Sequence, residues 1–173
     1  QLTIEPNTVF YSKPPPLPNE SILTSVQDAG HALLAARDLE QYEVSAYARS
    51  GSLQSRHNFN YWQFGDYLGI GAGAHGKISL TDGSQPLRTR KHRQPDHYLR
   101  AALQPQANGR TSRYTAEEMP IPSDEIVIEY LLNTLRTRRG FSPAHFEART
   151  GTAFSAIAKR VEYLRSQGLL CDT

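Results

Sequence analysis

Along this chain, apolar residues recur every three or four positions in some stretches and every second position in others, and the two periods divide it into helices and strands. Gln1-Leu2-Thr3-Ile4-Glu5 alternates and predicts an opening strand. The prolines Pro14, Pro15, Pro16 and Pro18 fix φ and remove backbone donors, so residues 12–18 predict an extended connector. Asn19 is placed to cap a helix ending near Ala36, with Ile22, Leu23, Val26, Ala29, Leu33 and Leu34 on one face. That face needs a packing partner. Residues 41–48 alternate, with Tyr42, Val44, Ala46 and Ala48 on one side, and predict a second strand. Lys77-Ile78-Ser79-Leu80 predicts another, closed by a hairpin-type turn at Thr81-Asp82-Gly83.

The last third reads as helical. Ser123 is expected to cap a helix over 124–137, with Val127, Tyr130, Leu131 and Leu135 on its stripe and Gly140 ending it. Ser142 and Pro143 predict the cap and first position of the next helix, with Phe141 and Phe146 spaced as a hydrophobic staple. A third helix buries Phe154, Ile157, Ala158, Val161 and Leu164 and stops at Gly168. The apolar run Leu169-Leu170-Cys171 then reads as the start of a strand, so the arrangement resembles a winged helix lacking its wing. Both ends of the chain read as cut.

Composition narrows the class. At 173 residues the chain has room for one or two cores, and no apolar run approaches the roughly 18 residues a membrane helix needs. The single cysteine, Cys171, excludes an internal disulfide framework and any multi-cysteine metal or cluster site, so a reduced, cytoplasmic protein is expected. Net charge is only +2, which makes the basic stretch with Arg88, Arg90, Lys91, Arg93 and Arg100 a solvated surface rather than a nucleic-acid face. The helix after Thr152 begins with Thr152, Ala153, Ser155 and Ala156, too few donors to read bases, so no specific nucleic acid is expected. A switch from this basic stretch to acids over 115–129 predicts a seam. The resulting division is residues 1–85, a basic-to-acidic connector over 86–122, and a helical domain over 123–173.

Two segments carry candidate chemistry. Glycines 69, 71, 73 and 76 resemble a dinucleotide loop, but a strand follows where that motif requires a helix. They permit close backbone approach, either of a ligand or of a neighbouring strand. His75 among them fits a ligand contact or a hydrogen-bonded buried histidine. Arg56-His57-Asn58-Phe59-Asn60-Tyr61-Trp62 joins an imidazole, an amide and amphipathic rings, the parts a flat cofactor needs for coordination and stacking. An aromatic cluster packing a loop onto a core uses the same residue types.

Gln1-Leu2-Thr3-Ile4-Glu5-Pro6-Asn7-Thr8, Gln41-Tyr42-Glu43-Val44-Ser45-Ala46-Tyr47-Ala48, His57-Asn58-Phe59-Asn60-Tyr61-Trp62 and Tyr67-Leu68-Gly69-Ile70-Gly71-Ala72-Gly73-Ala74-His75-Gly76 stand in the order found in bacterial radical SAM heme chaperones. The chain resembles the C-terminal half of that family, also labelled oxygen-independent coproporphyrinogen III oxidase-like, most specifically over residues 1–80. The resemblance implies an α+β fold: the last strand or strands of a partial (βα) barrel and a small sheet, then the winged-helix-like domain. It implies a parent that binds S-adenosylmethionine and a [4Fe-4S] cluster through a CxxxCxxC motif, whose cysteines this chain does not contain. The chain by itself is therefore expected to perform no radical catalysis. The resemblance starts the chain at the last barrel strand, with Thr3 and Glu5 near its carboxyl end where such enzymes work, and places Thr3 and His75 beside the S-adenosylmethionine pocket. It assigns heme to His57, a possible iron ligand, with Asn58, Tyr61 and Trp62 supporting, and implies transfer of heme to an acceptor protein. Ser55 departs from the pattern, since many relatives carry Cys there, so no thiolate adds to ligation. The rival reading within the superfamily is the coproporphyrinogen oxidase, which the His-Asn-x-x-Tyr-Trp motif disfavours.

Overall fold

The computed structural model describes residues 4–80, 85–105 and 112–171, and the chain divides into two compact units. The first takes residues 4–41 and 45–54. Thr8 starts a short helix α1, Val9–Ser12, by accepting the Tyr11 N–H at 3.2 Å. After the proline run, Asn19 caps α2, Glu20–Ala35, its Oδ1 accepting the Ile22 N–H at 3.0 Å as the sequence requires. The apolar face of α2 is not packed. Ile22, Leu23, Val26 and Leu33 are each at least half exposed and no residue of the helix is buried. Ile4 and Glu5 form no strand, while Gln1, Leu2 and Thr3 fall outside the described residues. Where one strand is expected over 41–48, two short ones form instead, β1 over Glu40–Glu43 and β2 over Ala46–Ala48, because Val44 and Ser45 turn the chain.

The second unit takes residues 42–44 and 55–171. Helix α3 spans Arg56–Trp62 and is followed by an antiparallel sheet of β3 (His75–Ile78), β4 (Leu87–Lys91) and β5 (Thr115–Pro120), in that order. A short helix α4, Pro95–Ala101, lies between β4 and β5 in sequence. The expected turn at 81–83 lies outside the described residues, but the register Ile78 to Leu87 shows the two strands it joins to be paired. The basic-to-acidic stretch contributes β4, α4 and β5. Its opposite charges meet directly, Arg90 with Glu117 across β4 and β5 and Arg88 with Glu129, both at 2.6 Å.

Helices α5 (Ser123–Thr134), α6 (Pro143–Thr150) and α7 (Ser155–Ser166) close the unit. Pro122, not Ser123, occupies the N-cap of α5, and the Ser123 hydroxyl instead accepts from the Gln85 side chain at 2.7 Å. Ser142 caps α6 as expected, accepting the His145 N–H, and Pro143 begins the helix. Phe141 and Phe146 meet at 6.1 Å between ring centroids, which completes the staple. Phe64, Ile121, Ile126, Tyr130 and Phe146 form the buried core, with Val127, Leu131, Phe141, Phe154 and Ile157 packed against it. Leu135, expected on the buried stripe, is 45% exposed, and Ile126 and Thr134 take the inward face of α5 beside Tyr130. No strand follows α7 within the described residues. The fold is α+β, mixed helices with small antiparallel strands.

Tyr130 lies at the centre of that core, with its hydroxyl 2.7 Å from His145 Nδ1. Burial pushes the Tyr130 phenol up to about 12, with nearby Arg149 acting weakly the other way. Burial, seconded by Arg149, holds the His145 imidazole below its ordinary value. For Tyr130 the folded value exceeds the unfolded one, so its stability is complete below about pH 10 and is lost as pH rises toward 12. For His145 the sign is opposite: stability is complete above about pH 6.5 and falls as the unfolded chain binds a proton the folded one resists. Urea melts from pH 5 to 11 are expected to lose stability at both ends. The alkaline loss attributable to Tyr130, about 1.4 kcal/mol by pH 11, disappears in Tyr130→Phe. An unchanged alkaline limb in that variant would contradict the assignment.

Candidate functional site

Helix α3 is fixed at its start by Ser55, whose hydroxyl accepts the Asn58 N–H at 3.2 Å. Serine suits this position because its oxygen satisfies a donor that the first helical turn leaves open. The Ser55 N–H in turn donates to the Tyr42 hydroxyl at 3.2 Å. Residues four apart share a helix face, so the six-residue motif separates into two pairs. Asn58 and Trp62 form one, and His57 and Tyr61 the other.

Trp62 is buried, at 9% exposure. Its ring meets Phe59 at 5.7 Å edge-on and Tyr42 at 6.2 Å, while Tyr42 stacks on Phe59 at 5.6 Å and 23°. Two guanidinium groups cover the cluster, Arg136 at 5.9 Å from the Trp62 ring and Arg139 at 5.4 Å from Phe59. The Arg136 guanidinium also pairs at 3.2 Å with Glu43, a carboxylate 1% exposed. Phe59, Tyr42 and Trp62 thus seat α3 on the unit. Asn58 is half-buried beside them.

His57 is exposed, and its ring meets Tyr61 edge-on at 4.9 Å and 76°. Tyr61 in turn contacts Tyr67 at 4.5 Å. An accessible imidazole beside two tyrosine rings suits a flat, apolar, iron-bearing ligand: nitrogen for the metal and ring faces for the macrocycle. Sequence reasoning gave Tyr67 no role at the site, although it stands only five residues beyond Trp62.

Tyr67 is held by reciprocal backbone hydrogen bonds with Lys77 of β3, both 2.9 Å. The glycine-rich segment serves that pairing. A Cβ on Gly69 would collide with the His75 carbonyl, and one on Gly76 would lie 2.7 Å from Thr89 Oγ1 and 3.2 Å from the Tyr67 carbonyl. Of the two alternatives the glycines left open, approach of a neighbouring strand is what Gly69 and Gly76 provide. His75 itself is exposed at the start of β3, opposite Arg90, so it is not a buried histidine. Thr3 lies outside the described residues. Among those residues, no group of three His, Cys, Asp or Glu side chains could hold a metal ion, and the chain's one cysteine cannot furnish a [4Fe-4S] site.

Beneath Tyr67, the Lys77 ammonium is buried, donating to the Phe64 carbonyl at 3.0 Å and to Asp66 at 3.2 Å, with the Phe64 ring 4.1 Å away. Burial lowers the Lys77 value, partly offset by Asp66. For Asp66 burial acts upward, but hydrogen bonds from Ser79 and Lys77 outweigh it and hold the carboxyl below its usual range.

Residues 121–173 match the HemN C-terminal domain family. Over 99% of its length the chain is 39% identical to heme chaperone HemW of Escherichia coli (strain K12), and 38% identical to HemW of Haemophilus influenzae. It spans 42% of the length of each. Over 98% of its length it is 32% identical to the mitochondrial radical S-adenosyl methionine domain-containing protein 1 of Bos taurus, of which it covers 39%. No solved structure matches the chain. No helix among the described residues is long and apolar enough to cross a membrane.

Proposed function

This chain matches the C-terminal part of the radical SAM heme chaperone family, and on that premise we propose that the protein carries heme for delivery to an acceptor protein. The observation that supports this reading is the exposed imidazole of His57 on the same face of α3 as Tyr61, next to Tyr67. Heme is the cargo, and His57 is the group able to bind its iron. Tyr61 offers its ring to the macrocycle. Trp62 and Asn58 act from behind, Trp62 by seating the helix that presents the other two. Ser55, in the position where a thiolate would otherwise stand, caps the helix and leaves ligation to histidine.

The S-adenosylmethionine chemistry named in some of the relatives, and the [4Fe-4S] cluster the resemblance implies, belong on this reading to a part of the protein beyond these residues, since three cluster cysteines are not available in this chain. His75 and Thr3 are its contribution to the S-adenosylmethionine side. The winged-helix-like arrangement of α5, α6 and α7 is a scaffold on this reading, without specific nucleic-acid contacts. A cytoplasmic setting accompanies the single cysteine.

Hemin titration followed at the Soret band tests the proposal. Saturable binding with a shifted Soret band is expected for the chain, and His57→Ala is expected to abolish the shift while leaving the far-ultraviolet circular dichroism intact. Saturable binding with an unchanged band in His57→Ala would remove His57 as ligand. No binding by the unsubstituted chain would count against a heme site on this half.

A further inference from the structure

We infer that Tyr67 is a positioning residue for heme, a fixed ring against which Tyr61 rests so that Tyr61 and His57 present one surface to the macrocycle. The inference rests on the heme reading above. Three observations carry it. First, the rings form a continuous series, His57 to Tyr61 at 4.9 Å and Tyr61 to Tyr67 at 4.5 Å. Secondly, the members differ in how firmly they are held. His57 and Tyr61 project from a helix of seven residues, whereas Tyr67 is tied to β3 by two backbone hydrogen bonds. The glycines at 69 and 76 make that tie possible by removing the Cβ atoms that would separate the two segments. Thirdly, Tyr67 is half-buried while His57 is exposed, so the series runs from a supported end to an open one.

The ring, not the hydroxyl, is the working part. Burial pushes the Tyr67 phenol up, against a downward pull from Arg88, so at neutral pH it stays protonated. A neutral phenol is a poor iron ligand, which leaves coordination to His57. A side chain pinned in advance spares heme the cost of ordering Tyr61 on binding.

The test is a double-substitution cycle read by hemin affinity and Soret position on the whole chain. Tyr67→Ala is expected to weaken hemin binding about tenfold, the upper end of an aromatic pair's worth. Tyr67→Phe, which restores the ring without the hydroxyl, rescues that loss. In a Tyr61→Ala background the Tyr67→Ala substitution adds no further weakening, because its effect passes through Tyr61. Should Tyr67→Ala fail to fold, Tyr67→Leu keeps the bulk without the ring and is expected to show the same coupling. An equal loss in both backgrounds, or no loss in either, would overturn the inference while leaving the heme reading intact. Absence of saturable hemin binding by the unsubstituted chain would instead overturn the heme reading, and this inference with it.

Discussion

Phe146→Ala is expected to destabilise the second unit by about 3–5 kcal/mol, the cost of removing a fully enclosed phenyl ring. Phe146 has no exposed surface and meets Tyr130, Phe141 and Phe154 at centroid distances of 5.4, 6.1 and 6.0 Å. The lost ring leaves a cavity among three other aromatics, none of which can close it without leaving its own partners. Since a domain's whole stability is about 5–15 kcal/mol, such a loss takes a large share of it. Phe154→Ala should cost clearly less, because that ring is only half-buried. Urea melts of the whole chain measure both. A Phe146→Ala loss below about 1.5 kcal/mol would mean that the core relaxes around the vacancy.

The second large effect concerns a buried charge. Asp66→Ala is expected to cost about 3 kcal/mol at neutral pH, because it leaves the Lys77 ammonium without its carboxylate. The Lys77 side chain is 4% exposed and that of Asp66 is 41% exposed, so the two halves of the pair are not equivalent. Lys77→Met removes the buried charge and leaves a carboxylate that still accepts from Ser79 and reaches water. It should therefore cost distinctly less than Asp66→Ala. The pH dependence has a definite sign. Asp66 is held below its usual value, so its contribution is present above about pH 4 and disappears as pH falls through the folded value. Lys77 is lowered, so the penalty for keeping it charged is relieved as pH rises toward about 10.5. Asp66→Ala should then recover stability at high pH relative to the unsubstituted chain. Equal losses from the two substitutions would refute the asymmetry.

Caps and helical stripes were readable because each depends on residues close together in sequence. Asn19 and Ser142 cap the helices expected of them, and the half-buried positions of α7 are those its period marked: Phe154, Ile157, Ala158, Val161 and Leu164. Ser123 was misplaced by one position because serine is favoured both at the cap and within the first turn, and only its bond to Gln85, 38 residues away, separates the two roles. The strand expected over 41–48 became two for a similar reason, since alternation persists across a short turn and does not reveal it.

The chemical types at the candidate site were likewise present in the sequence: one imidazole, one amide, two amphipathic rings and a run of glycines. Their division of labour was not. Helical spacing pairs His57 with Tyr61 and Asn58 with Trp62, but whether a given pair faces solvent or core depends on what the rest of the chain brings against it. Tyr42, Arg136 and Arg139 come from distant positions to enclose the Trp62 side. Tyr67 reaches Tyr61 only because Gly69 and Gly76 let two strands close together. Local propensity, capping and periodicity act within a few residues, so the sequence by itself determined α2, α5, α6 and α7, the strand-forming segments near 41–48 and 77, and the family likeness, but not α3, α4, β4 or β5. Burial and ring contact sum over residues far apart in the chain, so only the tertiary structure decided that the Trp62 side of the motif supports the fold while His57 stays exposed.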